Sequence, residues 1–211
     1  MPGVRWLKPL LGCVLLLGSG PLHAADEQTL FTPCSVCHGS KAEGNAATNA
    51  PALAGQDAAY LQRQLQNFRT GLRGTLRSDV LGAQMRAAGA GTLKDDAAVA
   101  RVAAYVASLP QTFPAAAARG DLRNGNNLYH GKCGACHGGR AEGNPSLNAP
   151  RLAGLDAAYL KRQFAHFRDG VRGADPRDVT GRQMALMAKT LPTERDLDDV
   201  IAFIHAQGRP K

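Results

Sequence analysis

The apolar residues of this chain recur with a helical period, in stretches separated by long polar loops. In DAAYLQRQLQNFRTG, residues 57–71, the side chains of Tyr60, Leu61, Leu65 and Phe68 share one face, Asp57 can cap the start and Gly71 can end it. The spacing predicts a helix there, and DAAYLKRQFAHFRDG, residues 156–170, repeats the pattern. Two closing helices are predicted, through Val99, Val102, Val106 and Leu109, and through Leu197, Val200, Ile201 and Ile204. No stretch alternates well enough to predict a strand. The loops ahead of the first helix of each set are rich in Gly, Asn and Pro, too polar to form a core alone, so something must fill the space they surround.

These patterns come in pairs because the sequence is duplicated. Sliding it by 99 positions places Cys34 on Cys133, Pro51 on Pro150, Tyr60 on Tyr159, Phe68 on Phe167 and Met85 on Met184, with 31 of the 52 positions from 34 to 85 identical. After Met85 the register slips by one residue. The segment LPQTFPAAAARG, residues 109–120, has the composition of a linker and lies at the seam. The expected organisation is a leader over 1–24, a first domain over 25–110, a linker over 111–118 and a second domain over 119–211. Each domain is small enough to need a staple beyond its own core.

Arg5 and Lys8 precede a short apolar run and small residues around Ala24 and Ala25, the layout of a secretory leader. The run is too short to span a bilayer, and no later stretch is apolar for long enough. Export to the periplasm is expected, with Cys13 leaving in the leader. The whole chain carries a net charge of +8. Its cations are interspersed with acids and poorly interleaved with aromatics, which argues against nucleic acid. An acidic protein partner or peripheral association with an anionic membrane suits the excess.

Four of the five cysteines lie in CSVCH, residues 34–38, and CGACH, residues 133–137. A shared zinc site would bring two CxxC pairs far closer in sequence, and a redox dithiol expects a strand and helix context that is missing. CxxCH is the signature of covalent haem c: Cys34 and Cys37, and Cys133 and Cys136, would each bond a haem's vinyl groups, with His38 and His137 reaching the irons. Two such groups would fill the spaces inside the loops. Met85 and Met184 occupy the same repeat position and are the expected second axial ligands, closing both irons to exogenous ligands and raising their potentials. Met187 aligns with Ala88 and reads as core; His130, His166 and His205 have no His twin and read as surface or packing residues.

With AEGN, APALAG and AYLQRQLQNFRTGLR following CSVCHG, and AEGN, APRLAG and AYLKRQFAHFRDGVR following CGACHG, the chain resembles the dihaem cytochrome c4 family over nearly all of its mature length. The resemblance implies an all-α protein of two tandem class I cytochrome c domains, each a few helices and long loops wrapped around one covalent haem. It implies an electron carrier rather than an enzyme, with a quinol-oxidising complex as donor and a terminal oxidase as acceptor. A related possibility is the dihaem subunit of a larger dehydrogenase, similar to that of flavocytochrome c sulfide dehydrogenase; a dihaem peroxidase is disfavoured because each iron has a Met available. The resemblance also implies that the carbonyls of Pro51 and Pro150 accept hydrogen bonds from His38 and His137.

Two departures and one ambiguity remain. Only nine residues, 25–33, precede Cys34, so a short opening helix with weak packing against the closing helix is expected in the first domain. The one-residue slip is expected to shift the first Met loop relative to the second. Arg69 and Arg73, repeated as Arg168 and Arg172, fit either haem propionate contacts or a solvated basic face. Tyr60 and Tyr159 are expected in the core, their hydroxyls on a polar partner.

Overall fold

The computed structural model describes residues 22–114 and 118–207. The expected leader lies outside them except for its last three positions, as do residues 115–117 of the expected linker. Among the described residues the fold is all helical, its only β pairing being isolated bridges between Asn45 and Ala50 and between Asn144 and Ala149. No described helix is long and apolar enough to cross a membrane.

The first half contains α1 (Leu22–His38), α2 (Ala58–Arg69), α3 (Val80–Thr92) and α4 (Asp96–Ser108). The second contains α5 (Leu122–Lys132), α6 (Gly134–His137), α7 (Ala157–Arg168), α8 (Val179–Ala188) and α9 (Glu194–Ala206). The caps follow the sequence: Asp57 accepts from the Tyr60 amide at the start of α2, and Asp156 from Ala158 and Tyr159 at the start of α7. Gly71 and Gly170, just past these helices, take positive φ, where a chain can turn away from a helix without a Cβ clash.

Each half has its own core. Phe31, Leu61, Leu93, Val99, Val102 and Val106 are buried together in the first, and Tyr129, Val200, Phe203 and Ile204 in the second. The expectation of a weakly packed opening helix is not met. Helix α1 runs back to Leu22, its Phe31 is 2% exposed and stacks at a tilt on Tyr105 of α4 with centroids 5.8 Å apart, and Asp26 pairs with Arg101. The residues just ahead of Cys34 therefore pack directly on the closing helix.

The second half achieves closer contact between α5 and α9. A Cβ placed on Gly125 would lie 2.0 Å from the Asp199 carbonyl oxygen, so glycine is what lets the two backbones approach. Around it, the Asn124 amide donates to Asp196 at 3.1 Å and Asp199 at 2.8 Å, and the rings of Tyr129 and Phe203 lie 5.1 Å apart. Gly125→Ala is expected to force the helices apart and cost about 1–3 kcal/mol, the usual penalty for overpacking. A thermal melt of the holoprotein against wild type checks this, the drop being confined to the second domain's transition where the two resolve.

Candidate functional site

The two CxxCH motifs end a helix in each half and lead into loops held by matching hydrogen bonds. The His38 carbonyl accepts from Gly44 N at 2.8 Å, and the Ala42 carbonyl from Leu53 and Ala54 N at 2.8 and 3.1 Å. The twin bonds run from Gly143 to His137 at 2.8 Å and from Leu152 and Ala153 to Ala141 at 2.9 and 3.0 Å. Gly44 and Gly143 have φ of 84° and 87°, and a Cβ on either would come within 2.6 Å of a backbone nitrogen just after the proline. This close approach brings the proline carbonyl over the imidazole. His38 Nδ1 lies 2.9 Å from the Pro51 oxygen and His137 Nδ1 2.9 Å from the Pro150 oxygen.

That bond fixes each ring and its tautomer: Nδ1 carries the donated proton, leaving Nε2 as the lone-pair nitrogen. Burial lowers the proton affinity of both imidazoles, outweighing the opposing effect of the proline carbonyls, and so favours the neutral, ligating form. His38 is in contact with Met85, and His137 with Met184. These methionines do not sit on loops, as expected from the sequence, but in the second turns of α3 and α8, each five residues after the first helical residue. Asp79 and Asp178, both buried, cap the helices by accepting from Gly82 and Gly181 N at 2.9 and 3.0 Å. The one-residue slip falls after the methionine, where α3 runs longer than α8, and leaves Met85 and Met184 at equivalent helix positions.

In the second half these groups line a cavity. Cys133, Cys136 and His137 contribute to one side, Met184 and Met187 of α8 to another, and Leu152, Leu160, Phe164, Val200 and Ile204 to its apolar walls. The four motif cysteines form no disulfides. Burial pushes the Cys133 thiol up to about 11 and raises that of Cys34, the opposite of the lowered value that a reactive redox dithiol requires. Among the described residues no group of three or more His, Cys, Asp or Glu could hold a bare metal ion. One imidazole nitrogen and one thioether per half beside two thiols, with an apolar cavity between them in the second half, instead suit an iron that brings its own macrocycle.

The cavity reaches the boundary between the halves, where Tyr60, Arg63 and Gln64 of the first half join its lining. Here Arg73 and Arg172 meet across a local pseudo-twofold. Gln64 Oε1 accepts from Arg73 at 2.9 Å and Arg172 at 2.7 Å, and Gln163 Oε1 accepts from the same two guanidiniums at 2.8 and 2.9 Å. Arg73 stacks over Phe68 at 4.5 Å and Arg172 over Phe167 at 4.4 Å. Burial, reinforced by the neighbouring Arg172 charge, lowers the proton affinity of Arg73. Burial pushes the Tyr159 phenol up, but Arg73 and Arg172 together outweigh it and hold the group below its ordinary value. The buried Arg172 and the half-buried Arg73 thus share neutral acceptors, and Arg73 Nε has no hydrogen-bond partner. Such a cluster fits anionic groups entering from the adjoining cavity, as haem propionates would.

The other repeated arginines are differently engaged. Arg69 pairs with Asp96 at 2.6 Å and Arg168 with Glu194, tying α2 and α7 to the starts of α4 and α9. Further bonds across the boundary come from residues that sequence reasoning did not single out. Arg63 donates to Asn148 at 3.0 and 2.8 Å, Arg162 to the Asn49 carbonyl at 2.9 Å, and Gln56 exchanges two 2.9 Å bonds with the Arg151 backbone. The twins Gln64 and Gln163, and Arg63 and Arg162, were identifiable as repeat identities, whereas Gln56 stands opposite Leu155 and carried no such signal. His130 packs against Phe203, His205 is buried with Nε2 2.8 Å from the Leu155 oxygen, and His166 lies at the boundary with Nδ1 3.7 Å from Asp79.

Known proteins share this two-domain fold. The family model described as "Cytochrome c" matches residues 24–110 and again 122–207. Cytochrome c4 of Azotobacter vinelandii is 33% identical over 192 residues, covering 84% of this chain and 90% of that one. The thiosulfate dehydrogenase electron acceptor of Stutzerimonas stutzeri is 33% identical over 200 residues, covering 86% and 87%. The crystal structure of reduced recombinant cytochrome c4 from Pseudomonas stutzeri superimposes with a TM-score of 0.70 at 27% identity, over 87% of this chain and 98% of that one.

Proposed function

Because this chain belongs to the cytochrome c family, as a two-domain cytochrome c4 that carries two haem c groups and transfers electrons, we propose that it relays single electrons between periplasmic redox partners through one haem in each half. The halves are residues 25–110 and 119–211, joined by 111–118 after removal of 1–24. Cys34 and Cys37 hold the first haem and Cys133 and Cys136 the second; His38 with Met85, and His137 with Met184, are the axial pairs. The bound haem supplies an iron that gains or loses one electron. The chain does the rest: the Pro51 and Pro150 carbonyls orient the imidazoles, α3 and α8 present the thioethers, and Arg73 and Arg172 take up propionate charge. The repeated 2.9 Å bond from histidine to proline carbonyl carries this reading, since it leaves Nε2 of each ring as the ligating atom.

A quinol-oxidising complex as donor and a terminal oxidase as acceptor suit a periplasmic carrier. The likeness to a thiosulfate dehydrogenase electron acceptor favours a second reading, in which a dehydrogenase supplies the electrons. Spectroelectrochemical titration of the purified protein tests the common core. Two one-electron steps and low-spin spectra in both oxidation states, unchanged by cyanide, are expected; a high-spin haem that binds cyanide readily would overturn the carrier assignment for that half.

A further inference from the structure

Helix α8 has two working faces, and only one belongs to the haem cavity. Thr180, Gln183, Met184 and Met187 line that cavity. On the opposite side, Arg182, Leu186 and Lys189 line a separate surface groove whose floor includes Phe167 and Ala185. Leu186 is 69% exposed, Arg182 and Lys189 are exposed, and neither cation forms an ion pair with a described residue. Arg168 completes the wall, its charge already offset by Asp169 and Glu194.

The duplication supplies an internal control. Up to the methionine the halves agree at most positions, yet Arg182 and Leu186 stand opposite Ala83 and Ala87. Lys189 stands opposite Ala90 or Gly91, depending on where the slip falls. The first half therefore has the same kind of helix without the large apolar side chain and with a single exposed cation, Arg86, opposite Ala185. The asymmetry extends to the domains: fifteen Lys and Arg against ten Asp and Glu over 119–211, but eight against seven over 25–110. Arg182, Leu186 and Lys189 line the groove rather than the haem cavity, so these differences do not serve the shared haem fold.

From this we infer that the outer groove of α8 is the docking surface for an acidic redox protein, so that the second domain is the port through which this partner exchanges electrons. The inference rests on the carrier reading above and adds to it a side and a partner chemistry. Two unpaired cations flanking an apolar side chain complement a carboxylate-ringed apolar patch: the charges speed encounter, and Leu186 gives the contact its desolvated centre. The site is concave, which favours an inserted side chain over a flat lipid surface. It also lies directly behind Met184, one helix from the second cavity.

Plant plastocyanin, an acidic blue-copper protein, serves as the probe. Its binding to the holoprotein is measured by surface plasmon resonance, and electron transfer to it by stopped flow, across a range of ionic strength. In R182A/L186A/K189A, affinity and second-order rate are expected to fall about tenfold or more at low salt, with a flattened salt dependence, while both haem potentials stay unchanged. R182E/K189E should fall further, and K41A/R86A in the first domain should stay within about twofold of wild type. Wild-type behaviour of the triple variant, equal losses in the first-domain control, or losses confined to phosphatidylglycerol vesicles would each overturn the inference, the last in favour of a membrane. Because binding is read without redox chemistry, a failed carrier assignment shows separately, in the potentials and spectra.

Discussion

A chain in which Cys133 and Cys136 are both alanine is expected to carry one covalent haem instead of two and to lose the ordered packing of its second half. The cavity bounded by α7, α8 and α9 presents mostly apolar surface, much of it from leucine, valine, isoleucine and phenylalanine side chains. Without an attached occupant these surfaces face water or collapse, and α7 and α8 lose the body they are spread around. The loss should exceed about 4–5 kcal/mol, beyond the range of an ordinary point mutation, because a prosthetic group is removed rather than a contact trimmed. The first half should survive, since Phe31, Leu61, Val99 and Val102 close a core of their own. Mass spectrometry and a haem assay count the attached groups, and far-UV circular dichroism follows the lost helix. A fully helical variant retaining two covalent haems would refute the attachment assignment.

The second large effect is electronic rather than structural. Met184→Ala is expected to leave α8 intact, because alanine is the best helix former and the Asp178 cap on Gly181 N remains. What changes is the iron of the second domain. It should lose the weak long-wavelength sulfur-to-iron band, become open to cyanide, and fall in potential by on the order of 0.1–0.3 V, part of the roughly 0.8 V that axial ligands span. Met85→Ala should do the same to the first domain alone. Met187 lines the same cavity one turn further along α8, so the double variant M184A/M187A is the control. If the double variant matches M184A, Met187 does not substitute as ligand; if both keep the full band, Met184 is not the ligand.

The local features of this molecule were legible because they are written within a few residues. Asp57 and Asp156 announce their helices, the spacing of Val99, Val102 and Val106 gives the buried face of α4, and CxxCH carries its chemistry in five positions. Duplication made these signals stronger by stating each twice. Features set by tertiary contact were not legible. The partner of Arg69 is Asp96, in a different helix, and nothing in the spacing separates that pair from a propionate clamp. The reach of α1 was hidden because its first turn lies in what reads as leader, and the helical setting of Met85 was hidden because α3 is rich in glycine and alanine. The boundary between the halves was equally opaque, since Gln64 looks like any polar residue of an amphipathic helix until Arg172 arrives from the other half.

That boundary is in effect a symmetric homodimer interface contained in one polypeptide. Gln64 and Gln163, and Arg73 and Arg172, repeat one another's contacts as the two subunits of a twofold dimer would. In a true dimer, the exchange of an electron between the subunits would fail on dilution, as the partners dissociate. Here a tether of roughly ten residues holds each half at an effective concentration in the millimolar range. Any transfer between the two haems would therefore be a first-order process, independent of how much of the protein the cell makes. Fusion also removes the requirement that both surfaces be encoded alike, so the two Met helices can differ outside the haem cavity, with Arg182, Leu186 and Lys189 on one and Ala83, Arg86 and Ala87 on the other.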